Sequence, residues 1–491
     1  MTDQQYFAWL ADRNALRVVL IEVGVLSGGT EQTRYLSDRD YTTGAGDTPA
    51  HTPYLKRIVK QDVVTNETLS TSSDATMTLG EVSLFNADRA LDSWLLDVWT
   101  NRPLRIYLGD SRWVRGDFRL VFDGLVAEIS SKSRDKISFK VRDKLQALNA
   151  AVSEAKLGGT GTNKDSTLPL TFGEVFNIEP LMVDQATLTY QYHIGASESV
   201  IEVRDDGIPV SITSDPANGK FQLLQSPAGN ITADVQGDKS SGAYVNTVSK
   251  VVQVLVTNYG PVSTRFTSTD LDAVNLAAFD TAHPQPVGLY LADRTNVLEA
   301  CKQVADSVGA QMTVSRLGKL RLFQVDLANL VPTFDIYPQH MIEHDLHIAD
   351  TMPVSGAVKL GFCLNNSVQT DLKTSITALD KQDYALDYLT ETVTDATTLA
   401  NHRLTGDPTQ ENTLLLRRTD ANTEANRRLN LRKVARRTYQ FEAFAELLQL
   451  ELGQHVRLHH PNFNLSAGVA GMVVSLSAKW SQGRVTVGVL I

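Results

Sequence analysis

Tyr439-Gln440-Phe441-Glu442-Ala443-Phe444 opens the stretch whose reading decides the fold, and Glu451-Leu452-Gly453-Gln454-His455-Val456-Arg457-Leu458 continues it. Gly471-Met472-Val473-Val474-Ser475-Leu476-Ser477 and Arg484-Val485-Thr486-Val487-Gly488-Val489 complete it. Tyr439, Phe441 and Ala443 alternate with more polar positions, as do Val456 with Leu458, and Val485 with Val487 and Val489. Alternation at period two marks half-buried β-strands, because successive side chains of a strand point to opposite faces. Gly453-Gln454, the span 468–471 and Ser481-Gln482-Gly483 punctuate the strands as turns. Residues 439–491 therefore read as an antiparallel barrel or sandwich.

The same phrase occurs earlier, in residues 103–142. Leu104-Arg105-Ile106-Tyr107-Leu108 is followed by Phe118-Arg119-Leu120, then Gly124-Leu125-Val126-Ala127-Glu128-Ile129-Ser130, a polar turn 133–136, and Ile137-Ser138-Phe139-Lys140-Val141. The late copy has Phe463-Asn464-Leu465, Gly471 to Ser477, a turn, and Val485-Thr486-Val487. Both read F-x-L, then G-x-V with an Ile or Leu and a Ser downstream, then a turn and an alternating strand. Two readings stand: a true duplication, or the general idiom of antiparallel β-proteins.

A chain of 491 residues is long enough for two to four domains. Its net charge of −10 argues against sequence-independent DNA binding, although an acidic surface can let DNA pass without sticking. Two cysteines, Cys301 and Cys363, make neither a disulfide framework nor a cluster-binding set, and Cys301 falls on the apolar face of an expected helix. The first residues lack a basic, then apolar, leader pattern, and no run approaches the ~20 apolar residues of a membrane span. The expectation is synthesis in a cytoplasm and no stable membrane insertion.

Along the chain, residues 4–10 read as a short helix and 16–23 as a strand. Tyr35-Leu36-Ser37 and Asp40-Tyr41-Thr42-Thr43 read as a hairpin, and Met77-Thr78-Leu79 with Val82-Ser83-Leu84 as strand. Leu91, Trp94, Leu95 and Val98 recur at helical spacing, which predicts a helix over 87–99. Gly158-Gly159-Thr160-Gly161-Thr162 lacks the Lys-Ser/Thr of a phosphate loop and reads as a flexible connection. Residues 168–260 read as a β-meander with Asp206-Gly207 and Asn218-Gly219 turns. Helix returns at 293–308, where Val297, Cys301, Val304 and Val308 share a face and Gly309 ends it, followed by a hairpin around Leu317-Gly318-Lys319. The fold class expected is mainly β with minor α. It has a first β-barrel domain over 1–156, an inserted α+β region over 157–350 (meander 168–260, helix-hairpin 288–326), and a second β-barrel domain over 351–491.

That last block carries a basic helix over 422–437, with Arg427, Arg428, Arg432 and Arg436 as candidate interface residues. One reading is a solvated helix face, the other a contact with an acidic neighbour or phosphate. His340-Met341-Ile342-Glu343-His344 matches H-x-x-E-H, the inverted zinc-hydrolase signature. Zinc chemistry there needs both histidines on one helical face, a third ligand and Glu343 as base. Pro338 and Pro353 leave little room for a helix, and His344, Leu346 and Ile348 alternate like a strand. His455, His459 and His460 sit beside Pro461 in turn-like sequence. No catalytic, cofactor or metal residue is assigned.

Taken in order, these blocks resemble the baseplate hub, or central tail hub, of long-tailed bacteriophages. The stretches that carry the resemblance are Trp99-Thr100-Asn101-Arg102-Pro103-Leu104 with Val121-Phe122-Asp123-Gly124, and Leu168-Pro169-Leu170-Thr171-Phe172-Gly173-Glu174-Val175. Asp206-Gly207-Ile208-Pro209 through Ile231-Thr232-Ala233-Asp234, and Glu451-Leu452-Gly453-Gln454-His455-Val456, carry it further. The resemblance implies two tail-tube-like barrels per subunit and a homotrimeric pseudo-sixfold ring. It also implies a tail-tube or distal tail protein above, tip, fibre and tape-measure proteins as partners, and genome DNA passing the lumen without specific binding. The place implied is the virion, and the role is structural and not enzymatic. Iron–sulfur clusters known in some hubs need more cysteines than this chain has. Alternative readings are a tail-associated zinc hydrolase acting on the cell wall, through residues 340–344, and a host-surface binding module using the meander near 201–221.

Overall fold

The computed structural model describes residues 1–69 and 79–491. Met77 and Thr78 of the expected strand lie outside the described residues; Leu79–Phe85 is a strand. Among the described residues the main sheet has fifteen strands, twelve of which frame it: β1 (Arg17–Ser27), β2 (Thr30–Ser37), β3 (Ile58–Thr68), β4 (Leu79–Phe85), β5 (Pro103–Asp110), β6 (Arg119–Ser133), β7 (Lys136–Arg142), β8 (His347–Thr351), β9 (Arg437–Phe444), β10 (His455–Leu458), β11 (Val469–Lys479) and β12 (Arg484–Leu490). The path of this sheet runs β8-β9-β12-β11-β3-β4-β7-β6-β5-β1-β2 and continues through Pro53–Lys56 to Tyr41–Thr42, with β10 alongside β11.

The early and late blocks have the same plan. In the first, the path β3-β4-β7-β6-β5 is built from consecutive strands; in the second, β8-β9-β12-β11-β10 repeats it strand for strand. A β-bulge falls at the same place in both. β6 and β7 shift register between Val126 and Glu128, and β11 and β12 between Val473 and Ser475. Each bulge directly follows the valine of G-x-V. The glycine of that motif is demanded twice by the same contact. A Cβ on Gly124 would lie 2.6 Å from the Arg142 carbonyl oxygen, and one on Gly471 2.6 Å from that of Leu490. A shared strand order, bulge and glycine contact favour duplication over idiom.

The two expected barrels are not separate bodies. β11 pairs antiparallel with β3, Ser475 opposite Thr68 through Lys479 opposite Val64, and among the described residues the ladder stays open. One apolar core runs through both halves, from Val19, Ile21, Leu84 and Phe139 to Phe441, Val456, Val487 and Trp480. Sheet membership also draws the second half differently from a start at 351. β8 belongs to it, and Phe334–Ile336 pairs parallel with β10. Residues 357–432 leave this sheet. There Leu389–Thr394, Ala357–Phe362 and Gln410–Asn412 make a three-stranded sheet beside a helix, Arg418–Arg432.

The inserted region holds a five-stranded and a four-stranded sheet over a core of Tyr192, Phe221, Ala233 and Val235. Asp206-Gly207 makes the expected turn, both residues at positive φ. Two helices precede the one expected at 293–308: Val248–Asn258 and Ala273–Ala282. Val248, Val251, Val252, Leu255 and Val256 have helical spacing, but a valine-rich run reads as strand by propensity, and burial of that face overrides it. Val297–Asp306 follows, with Cys301 fully buried.

Two local expectations change. Residues 87–99 form turns and a short 3₁₀ helix, Asp92–Leu96. The Asn86 side chain accepts from the Leu91 N–H and donates to Asp92, and the Trp99 indole donates to the Trp94 carbonyl at 2.6 Å. Of the expected apolar face, Leu91 and Trp94 are buried but Leu95 and Val98 are exposed, so the four do not form one buried stripe. Residues 35–37 pair with β1 through the Gly28-Gly29 turn, while Tyr41–Thr42 pairs with Pro53–Lys56. The 158–162 tract is an exposed loop closed at its base by Leu157 N–H to the Ser166 carbonyl and Gly158 N–H to the Lys164 carbonyl.

Candidate assembly interface

The basic helix is Arg418–Arg432, ending short of the expected 437 because Arg437 begins β9. Its arginines meet acids on their own chain. Glu424, 4% exposed, accepts from Arg427 Nε at 2.7 Å and Arg428 Nε at 2.6 Å. Arg428 also donates to Glu411 Oε2 and to the Asp306 carbonyl, both at 2.6 Å, and Arg432 pairs with Glu411. Arg427 reaches the Val325 carbonyl at 3.0 Å. Gly309 leaves room for this approach, since a Cβ there would lie 2.3 Å from Arg427 Nη2. Arg436 stands apart, its Nε on the Leu431 carbonyl at 3.3 Å.

Burial disfavours the Glu424 carboxylate, but Arg427 and Arg428 outweigh it and hold its carboxyl below the ordinary range. Glu411 behaves alike: burial opposes ionisation, and Arg432 with Arg428 prevails. Arg428 is raised, its burial outweighed by Glu424 and Glu411. Arg436 is lowered, chiefly by burial. So Arg427, Arg428 and Arg432 are one network, and Arg436 is outside it. The i,i+3 and i,i+4 spacing of Glu424 to Arg427 and Arg428 was readable in sequence; Glu411, from another element, was not.

The H-x-x-E-H residues are not on a helix. Pro338–His340 is one 3₁₀ turn, and Glu343 and His344 have φ of 57° and 54°. His340 Nδ1 accepts from the Tyr337 N–H at 3.2 Å, while His344 Nδ1 lies 2.8 Å from the Pro338 carbonyl. His459 pairs with Asp335 at 2.9 Å and stacks on Tyr337, and His455 Nδ1 accepts from the Val331 N–H. Each ring is engaged in holding a loop. Among the described residues no three His, Cys, Asp or Glu side chains converge as a metal site would require, and no helix is long and apolar enough to cross a membrane.

The junction between the two sheet halves is the more elaborate site. Ser477 Oγ and Asn66 Oδ1 are 2.6 Å apart across it, and the Trp480 indole donates to Thr65 Oγ1 at 3.0 Å. Arg316, at the tip of the hairpin Ala310–Val314 to Leu320–Gln324, staples the joint. Its backbone N–H donates to Glu67 Oε1 at 3.0 Å, and its guanidinium to the Leu448 and Leu450 carbonyls at 3.0 and 2.9 Å. Its own carbonyl accepts from the Asp123 N–H at 2.6 Å. Glu67 is pushed up by burial, which Arg316 only partly offsets. Sequence reading missed Arg316, Glu67 and Trp480 because their contacts join distant segments. The one signal was an arginine at the tip of a hairpin between two apolar strands.

No protein-family model matches the chain, and no curated protein matches it. Among solved structures it is similar to the 43 kDa tail protein of prophage MuSo2 from Shewanella oneidensis, at 8% identity and a TM-score of 0.39, covering 96% of this chain and 98% of that one. It is also similar to a tail protein from Neisseria meningitidis MC58 (10% identity, TM-score 0.39, 96% of each chain). A third is a chain of the native gene transfer agent virion (13% identity, TM-score 0.42, 71% of this chain and 91% of that one). The chain itself is mainly β with some helices.

Proposed function

We propose that the chain is a structural protein of a phage tail tip, a hub whose three copies form a pseudo-sixfold ring. Each copy contributes two tube-like β units. The ring closes the tail tube above it and presents three-fold symmetry to tip or fibre proteins below, while DNA passes a lumen it does not bind. The observation that carries this reading is the internal repeat: one five-strand plan used twice, with the same bulge, and its halves joined edge to edge. Two like units per chain turn three copies into six near-equivalent positions, which reconciles sixfold and threefold neighbours. The role is not enzymatic. The H-x-x-E-H residues serve loop conformation, and the arginines of the basic helix serve the chain's own packing.

Particles from producing cells test the proposal. The chain is expected in purified tails, and deletion of its gene is expected to abolish complete tails. Normal, infectious tails from the deletion would overturn it.

A further inference from the structure

We propose that the chain carries a second strand-pairing surface, made of the free edge of β6 past Val126 and the free edge of β8, and that its partner is another copy of this chain. The inference rests on the ring reading. Its warrant is that one of two equivalent junctions is filled inside the chain and the other is not.

Within the chain, β11 does two jobs along one edge. Residues 469–472 pair with β10, and residues 475–479 pair with β3. Its counterpart β6 pairs with β5 over 119–125, but beyond that its second edge has no strand among the described residues. β3, which fills the place beside β11, has β8 as its counterpart. Among the described residues β8 pairs with β9 on one side only and ends the sheet. The half-junction offered by β6 and the one offered by β8 are therefore complementary. In one chain they lie seven strand steps apart along the path, and among the described residues they do not pair with each other.

Exposure changes as a missing neighbour requires. Leu476 and Ala478, covered at the filled junction, are 3% and 4% exposed; their counterparts Ile129 and Ser131 are half-buried and exposed. Thr65 is 1% exposed, while Ile348 in the same place is 37% exposed, an apolar side chain on an open edge. The polar pair has a counterpart as well. Where Ser477 meets Asn66, Ser130 and Asp350 stand, and Ser130 Oγ is shielded from solvent with no hydrogen-bond partner among the described residues. Carrying over the filled junction sets the register: Ile129 opposite Thr351, Ser130 opposite Asp350, and Ser131 opposite Ile348, antiparallel. An unpaired edge of this kind is a template for another chain.

Cysteine pairs test this in the full chain, both purified and in assembled particles, against the same cysteines singly. Ser477→Cys with Asn66→Cys is the reference for the geometry, and is expected to form an intrachain disulfide with no change of mass. Ser130→Cys with Asp350→Cys is expected to link copies under mild oxidation, into species closing at three chains. A mixture of the two single variants is expected to give only the mixed dimer. If the reference pair closes and the Ser130–Asp350 pair does not exceed single-cysteine background in either preparation, the edge pairing is overturned. Rings seen by electron microscopy without that linkage overturn the pairing and leave the ring reading standing. Absence of the chain from tails overturns the ring reading and the pairing with it.

Discussion

Arg428→Ala asks whether the basic helix is an internal strut. The substitution removes three short charge-assisted hydrogen bonds, to Glu424, Glu411 and the Asp306 carbonyl. Removing one partner of a buried ion pair costs about 3–5 kcal/mol, because the other charge stays buried. Here Arg427 still reaches Glu424 and Arg432 still reaches Glu411, so the loss falls at the lower end, about 3 kcal/mol. Arg418→Ala, on a side chain 69% exposed, is the reference and should change stability by less than about 0.5 kcal/mol. Denaturant unfolding of the full chain followed by circular dichroism reads both. The pH dependence has a definite sign. Glu424 and Glu411 have folded pKa values below the ordinary one. Their contribution is therefore present above the unfolded value of about 4.3 and is lost as pH falls through the lower folded values. The gap between wild type and Arg428→Ala should be full at pH 7 and narrow below about pH 4. An Arg428→Ala chain as stable as the Arg418→Ala chain at pH 7 would refute the strut and return these arginines to the role of contacts for a neighbouring subunit.

Other outcomes rest on the same kind of contact. Gly124→Ala and Gly471→Ala each force a methyl against a carbonyl oxygen and should each cost about 1–3 kcal/mol, while Gly46→Ala, with nothing within 4 Å, should be neutral in the same melts. Glu67 has a raised pKa, so its charge costs stability increasingly as pH rises above about 4.3; Glu67→Gln should flatten that loss and raise the melting temperature at pH 7. Metal analysis of the purified chain should find no stoichiometric zinc; zinc that disappears in His344→Ala would favour the hydrolase reading.

Much of the fold was legible in local sequence. The repeated G-x-V phrase marks a strand whose bulge lies just past the valine, and Gly124 and Gly471 are glycines because a partner-strand carbonyl crowds each of them. Asp206-Gly207 named its turn. What stayed hidden depends on distance along the chain. Nothing local marks residues 64–68 as neighbours of 475–479, so two barrels were read where one sheet forms. Leu91, Trp94, Leu95 and Val98 mimic a helical stripe, but Asn86 and Asp92 tie the segment into turns, so Leu91 and Trp94 are buried while Leu95 and Val98 remain exposed. The arginines of the basic helix were visible as a cluster; that Glu411 comes from a separate strand to meet two of them was not.

The central claim is that one chain supplies two equivalent β units to a ring in the tail tip. A reconstruction of that tip by electron cryomicroscopy, computed without imposed sixfold averaging, tests it most directly. The account predicts three copies whose strands β3 to β7 and β8 to β12 alternate around the lumen at near-sixfold spacing. A tip with one copy, a ring of six copies, or a chain placed outside the wall of the lumen would contradict it.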